Sequence, residues 1–131
     1  MIYTAASRAL CALEVLVNAG ELADDYVITP VEVPDHLNVT SRPVETLPSG
    51  WNAAEPTEET RNVGKDWVTE LKSAVLAVPS VVVPHEYNYL LNPHHADFAR
   101  IRFLDPEPFS FDDRRLDEWK DIGIRLLENI R

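Results

Sequence analysis

Between Ser7 and Asn18, apolar residues recur at helical spacing, with Ser7 placed to cap a helix and Gly20 to end it. At ~100° per residue, Leu10, Leu13, Leu16 and Val17 fall on one side, and Cys11 and Val15 on the other. A polar stripe of Ser7, Glu14 and Asn18 runs between them. A carboxylate between two apolar flanks is a candidate site residue, although a solvated glutamate on an exposed edge gives the same pattern.

Tyr26-Val27-Ile28 and Val31-Glu32-Val33 are β-rich, and Pro30 between them predicts an edge strand or a bulge. Pro34 to Glu59, rich in Pro, Ser, Thr, Asn and Glu, reads as a loop-like middle anchored by Leu47 and Trp51. Thr57 is placed to cap a short helix through Glu58-Glu59. A second helical pattern over Lys65 to Ser73 would bury Trp67, Val68 and Leu71.

Ala74 to Pro84 is the most apolar run, and its β-branched residues predict strands buried on both faces. Pro79 cannot donate to a ladder, so the run should break at Pro79-Ser80. A serine at such a break can present its hydroxyl to a cleft, or merely tolerate the kink. His85 to His95 reads as a polar, aromatic connector, followed by two short strands at Ile101–Leu104 and Pro108–Phe111. Asp112 or Asp113 would cap a C-terminal helix to Ile130, burying Leu116, Trp119, Ile122, Leu126, Leu127 and Ile130. The order helix, strand, loop, helix, strands, helix predicts an α+β domain.

The chain has 131 residues, the size of one domain, and its 45% hydrophobic and 26% charged content is that of a globular protein. Lys and Arg number 12 against 22 Asp and Glu, a net charge of −10. Such a surface repels phosphate backbones and anionic lipid, so neither direct nucleic-acid binding nor membrane docking is expected. A single cysteine, Cys11, allows no internal disulfide. No apolar run approaches the ~20 residues of a membrane span, and Met1-Ile2-Tyr3-Thr4 does not open like a signal peptide. Together these predict a soluble, cytoplasmic domain.

The glycines at 20, 50, 64 and 123 are isolated, so no phosphate-cradling loop is present. No G-x-S-x-G elbow surrounds Ser80, and Cys11 reads as a small core residue. His85, His94 and His95 lie close together without metal-ligand spacing, so no metal is expected. Glu14 is the one acid in a periodic, apolar setting. With Ser80, Tyr3, Tyr87, Tyr89, Asn88 and Asn92 it makes a set suited to binding and straining a polar ligand.

Ile2-Tyr3-Thr4-Ala5-Ala6-Ser7 followed by Ala9-Leu10-Cys11-Ala12-Leu13-Glu14-Val15-Leu16 resembles the opening helix of RES-domain toxins. Val78-Pro79-Ser80, the run Asn88 to His95, and Pro108-Phe109-Ser110-Phe111-Asp112-Asp113-Arg114 resemble later segments of that family, in the same order. The resemblance implies one RES domain over 1–131, similar in fold to ADP-ribosyltransferases, with small mixed sheets flanked by helices. It implies NAD as substrate, no metal, and cleavage of the nicotinamide–ribose bond by hydrolysis or phosphorolysis. The alternatives are transfer of ADP-ribose to a cellular protein, or a catalytically impaired module that binds its antitoxin.

By position, Glu14 and Ser80 would be the family's catalytic glutamate and serine, and Tyr3 the tyrosine at the nicotinamide end. Asn88 and Asn92 would line the NAD pocket. The family's arginine precedes the Tyr-Thr-Ala segment, so the N-terminal strand that carries it is expected to be missing here; Arg8 is out of register with it. The partner implied is an Xre-like, DNA-binding antitoxin of a type II toxin–antitoxin system, with a dimer of the toxin within the complex.

Overall fold

The computed structural model describes residues 1–111. The C-terminal helix expected from Asp112 or Asp113 to Ile130 lies outside the described residues. Within them the domain is α+β, built on a four-stranded sheet of order β1-β6-β5-β4. Its strands are β1 (Ile2–Ala5), β4 (Val39–Ser41), β5 (Val75–Pro79) and β6 (Tyr87–Leu91). Two antiparallel ribbons flank it: β2 (Tyr26–Ile28) with β8 (Glu107–Phe109), and β3 (Val31–Glu32) with β7 (Arg102–Phe103). The helices are α1 (Arg8–Asn18) and α2 (Glu58–Glu70).

β5 is one of the two interior strands, antiparallel to β6 and parallel to β4. Parallel neighbours need a long crossover, and α2 supplies it between β4 and β5. Being interior and covered on both faces, β5 buries residues on both sides, which is why Val75-Leu76-Ala77 forms an unbroken apolar run. On one face Val75 and Leu91 pack with Leu37, Ala74 and Ile101. On the other Leu76 and Leu90 pack with Trp67 of α2. Trp67 Nε1 donates to Ser73 Oγ at 3.0 Å, and Ser73 Oγ donates to the Val75 carbonyl at 2.8 Å. Thr40 Oγ1 lies 2.7 Å from that same Ser73 Oγ, so the buried indole and hydroxyl are both satisfied.

Several expectations are corrected. Val39–Ser41 is a strand inside the segment that reads as loop, hydrogen-bonded beside β5. The two helical patterns at Glu58-Glu59 and Lys65–Ser73 are one helix, capped by Thr57, whose hydroxyl accepts from Thr60 N at 3.2 Å. Leu71 leaves that helix in the left-handed conformation at φ 51 and is exposed, not part of the buried face. The connector His85–His95 contains β6, paired on both sides. Val81-Val82-Val83 is a turn, not a second strand. Along α1 only Leu10 is buried; Leu13 and Val17 are exposed.

Candidate active site

Ser7 begins the site by starting the helix. Its hydroxyl accepts from Leu10 N at 3.1 Å, fixing the first turn of α1 directly after β1. Two turns on, the helical stripe brings Glu14 round to the face that meets the turn after β5. Asn18, four residues further, donates its Nδ2 to the Glu14 carbonyl at 2.8 Å and lies 3.4 Å from Glu14 Oε2.

Ser80 follows β5 directly, at the break that Pro79 imposes. Its backbone N–H donates to the Glu86 carbonyl at 2.8 Å, which closes the turn between β5 and β6. Its side chain, 3% exposed for the whole residue, accepts the backbone N–H groups of Val82 and Val83, both at 3.1 Å. With both acceptor positions filled, the single hydroxyl proton goes to Glu14 Oε1 at 3.0 Å.

Asn88 reaches the same oxygen from β6, where it pairs with Ala5 of β1 and Val78 of β5. Its Nδ2 donates to Glu14 Oε1 at 2.7 Å. A carboxylate only accepts, so the amide nitrogen must be the end that faces it. The other end, Asn88 Oδ1, is buried with no partner among the described residues. Helix, turn and strand thus converge on one carboxylate.

Of the residues the sequence singles out, Glu14, Ser80 and Asn88 come together. Tyr3 lies two positions before Ala5 on β1 and is 71% exposed, with no hydrogen bond to this cluster. Asn92 is elsewhere: fully buried, it donates Nδ2 to the Val68 carbonyl at 3.1 Å and accepts from His94 N at 3.0 Å. Those bonds tie the end of β6 to α2 and leave its oxygen and nitrogen occupied. Asn18 is grouped with Glu14 by helical periodicity, yet its contact with the carboxylate shows only in the structure. Arg8 forms a two-pronged ion pair with Glu107 of β8, with Nη2–Oε1 at 3.0 Å.

His95 Nδ1 accepts from Asp97 N at 3.0 Å, capping the short 3-10 turn that follows. Among the described residues no group of three or more His, Cys, Asp or Glu is placed to hold a metal ion. No helix there is long and apolar enough to cross a membrane.

A cavity of about 860 Å³ is lined by Ile2, Tyr3, Thr4, Val75, Tyr89 and Leu91 among others, and not by Glu14, Ser80 or Asn88. Strand alternation explains the separation. Ile2, Thr4, Val75, Tyr89 and Leu91 point from one sheet face and Asn88 from the other, while Tyr3, on the Asn88 face of the edge strand β1, also borders the cavity. The Glu14 cluster is the candidate site on chemical grounds, because side chains from three distant parts of the chain meet there on one carboxylate oxygen.

A family model described as RES domain matches residues 1–112. "Toxin Res" of Photorhabdus laumondii is 37% identical over 116 residues, covering 86% of this chain and 74% of the relative. A Sphingobium protein named "Prs ADP-ribosylating toxin" is 36% identical over 121 residues, covering 88% and 74%. "Toxin Res" of Yersinia enterocolitica is 32% identical over 116 residues, covering 86% and 76%. With a family match that spans most of the sequence and relatives at this identity, the chain belongs to the RES domain family.

Proposed function

We propose that this protein is a toxin that consumes NAD by breaking the bond between nicotinamide and ribose. The observation that carries the reading is a single carboxylate, Glu14, held by two neutral donors from distant parts of the chain, the Ser80 hydroxyl and the Asn88 amide. Nothing in that trio resembles an activated nucleophile. Ser80 spends its proton on Glu14, and its lone pairs accept two backbone N–H groups, so it has no free lone pair for attack.

A fixed carboxylate suits a reaction that builds positive charge. As the glycosidic C–N bond breaks, its electron pair leaves with nicotinamide, and the sugar becomes oxocarbenium-like. A negative oxygen already in place stabilises that charge without reorganising at the moment of reaction. The sugar carbon is then attacked by water or phosphate oxygen, which gives up a proton to solvent as the new C–O bond forms. Tyr3, on the same sheet face, would pack near the leaving nicotinamide.

A second reading has a specific observation behind it. The Sphingobium relative is named an ADP-ribosylating toxin, and the same carboxylate would serve transfer to a protein side chain. The acidic surface, −10 overall, suits a partner with a basic face, which is the place of an Xre-like antitoxin in this reading. Product analysis separates the chemistries. NAD incubated with the purified chain should yield nicotinamide with ADP-ribose, or with its 1″-phosphate when phosphate is the acceptor. Labelled NAD that marks protein only in a cell extract, with no free nicotinamide from the chain alone, would favour transfer. NAD left intact in all three would refute the reading.

A further inference from the structure

We propose that Asn18 contacts the ligand of this site, and that Glu14 Oε2 and Asn18 Oδ1 together accept the two hydroxyls of a ribose diol. The inference rests on the NAD reading above. Its basis is the unequal treatment of the two carboxylate oxygens. Oε1 is saturated by close donors, Asn88 Nδ2 at 2.7 Å and Ser80 Oγ at 3.0 Å, both arriving from the sheet side. Among the described residues Oε2 has one hydrogen-bond neighbour, Asn18 Nδ2, at 3.4 Å, beyond the usual range of an N–H···O bond. Oε2 therefore keeps the accepting capacity that Oε1 has spent.

Asn18 Nδ2 is anchored on the Glu14 carbonyl at 2.8 Å, one helical turn back, so the amide is held beside the carboxylate. With the nitrogen committed, Oδ1 is the end left to accept, and among the described residues it takes no hydrogen bond. Asn18 is exposed at the last position of α1, where a ligand can reach it. Two oxygen acceptors are therefore carried by neighbouring side chains one turn apart on α1, with the Asn18 amide nitrogen 3.4 Å from Glu14 Oε2. Adjacent hydroxyls on a furanose ring supply two donors from neighbouring carbons and match them. A phosphate or carboxylate brings only acceptors and meets the charge of Glu14, so the pair selects hydroxyl groups over anions.

The test is the rate of nicotinamide release from NAD and from analogues lacking the 2′- or the 3′-hydroxyl on the nicotinamide ribose, using wild type and Asn18→Ala. Asn18 is exposed and packs in no core, so the variant should melt with the wild type. Asn18→Ala should raise KM for NAD about ten-fold with kcat little changed, the size of one lost hydrogen bond. Wild type should lose a similar factor on one of the two deoxy analogues, and on that analogue Asn18→Ala should lose nothing further. Losses that simply add for both analogues, or a KM unchanged by the substitution, would overturn the role of Asn18 while leaving NAD as substrate. The NAD reading itself fails differently: wild type releases no nicotinamide, and Glu14→Gln shows no NAD binding by calorimetry.

Discussion

Ser80 Oγ lies 3.0 Å from Glu14 Oε1, across 66 positions of sequence, and it can only be the donor of that bond. Val82 N–H and Val83 N–H occupy its acceptor sites at 3.1 Å each. One hydroxyl therefore does two jobs: it shapes the turn after β5 and aims the carboxylate of α1. Ser80→Ala removes both. Two backbone N–H groups lose their acceptor, and urea unfolding should show a loss of about 1–2 kcal/mol. Nicotinamide release should fall through kcat more than KM, since what is lost is aim and not contact with the substrate.

Asn88→Asp is the sharper probe of the same carboxylate. It keeps size and shape but replaces a donor 2.7 Å from Glu14 Oε1 with a second carboxylate. Two like charges at that distance cannot both ionise comfortably, and Glu14 must turn away or take up a proton. We expect kcat to fall on the order of a hundred-fold, as for a displaced catalytic group. Asn88→Ala, which only removes a bond, should fall less. Side-by-side kcat values check the order.

Asn92→Ala should separate stability from chemistry. The fully buried amide bonds the Val68 carbonyl and His94 N, so its removal strands groups in α2 and after β6. A loss of about 2–3 kcal/mol is expected on urea unfolding. KM and kcat per folded molecule should stay at wild-type values. A raised KM would place Asn92 in the ligand pocket after all.

Leu91→Ala tests the packing that carries β6, and with it Asn88. Leu91 is completely buried in the cluster with Leu37, Val75 and Ile101. Its truncation should cost about 2–5 kcal/mol, depending on how far the cavity collapses. Chemical denaturation measures it directly.

The helix α1 was legible because capping and periodicity agree: Ser7, the stripe of Glu14 and Asn18, and buried Leu10 all stand where the spacing puts them. The break at Pro79-Ser80 was legible because proline has no N–H to give. What failed was local pattern overruled by partners. Val81-Val82-Val83 has the composition of a strand, but the Ser80 hydroxyl takes two of its N–H groups and no ladder forms. Tyr87 to Leu91 lacks alternation because β6 lies between β1 and β5, with polar Asn88 on one face and Leu90 and Leu91 on opposite ones. β4 is three residues set in a Pro- and Ser-rich segment, too short for periodicity to show.

For the site, the sequence placed Glu14, Ser80 and Asn88 on three separate elements, and only folding joins them. Helical spacing marks Glu14 as unusual, and the proline marks Ser80, but no spacing rule links residues 66 and 74 positions apart. Asn92 illustrates the converse. It sits four residues from Asn88 in the same polar run, yet strand geometry carries it into a buried corner against α2.

Most directly, the central claim is tested by nicotinamide release from NAD, measured for the wild-type chain and for Glu14→Gln at equal folded concentration. The substitution keeps the shape of the side chain and its capacity to accept from Ser80 and Asn88, but removes the charge. Release by the wild type, with a loss of at least about a hundred-fold in the variant and no change in melting, is the predicted result. Equal release by both proteins would contradict the assignment of Glu14 as the residue that stabilises the departing sugar's charge.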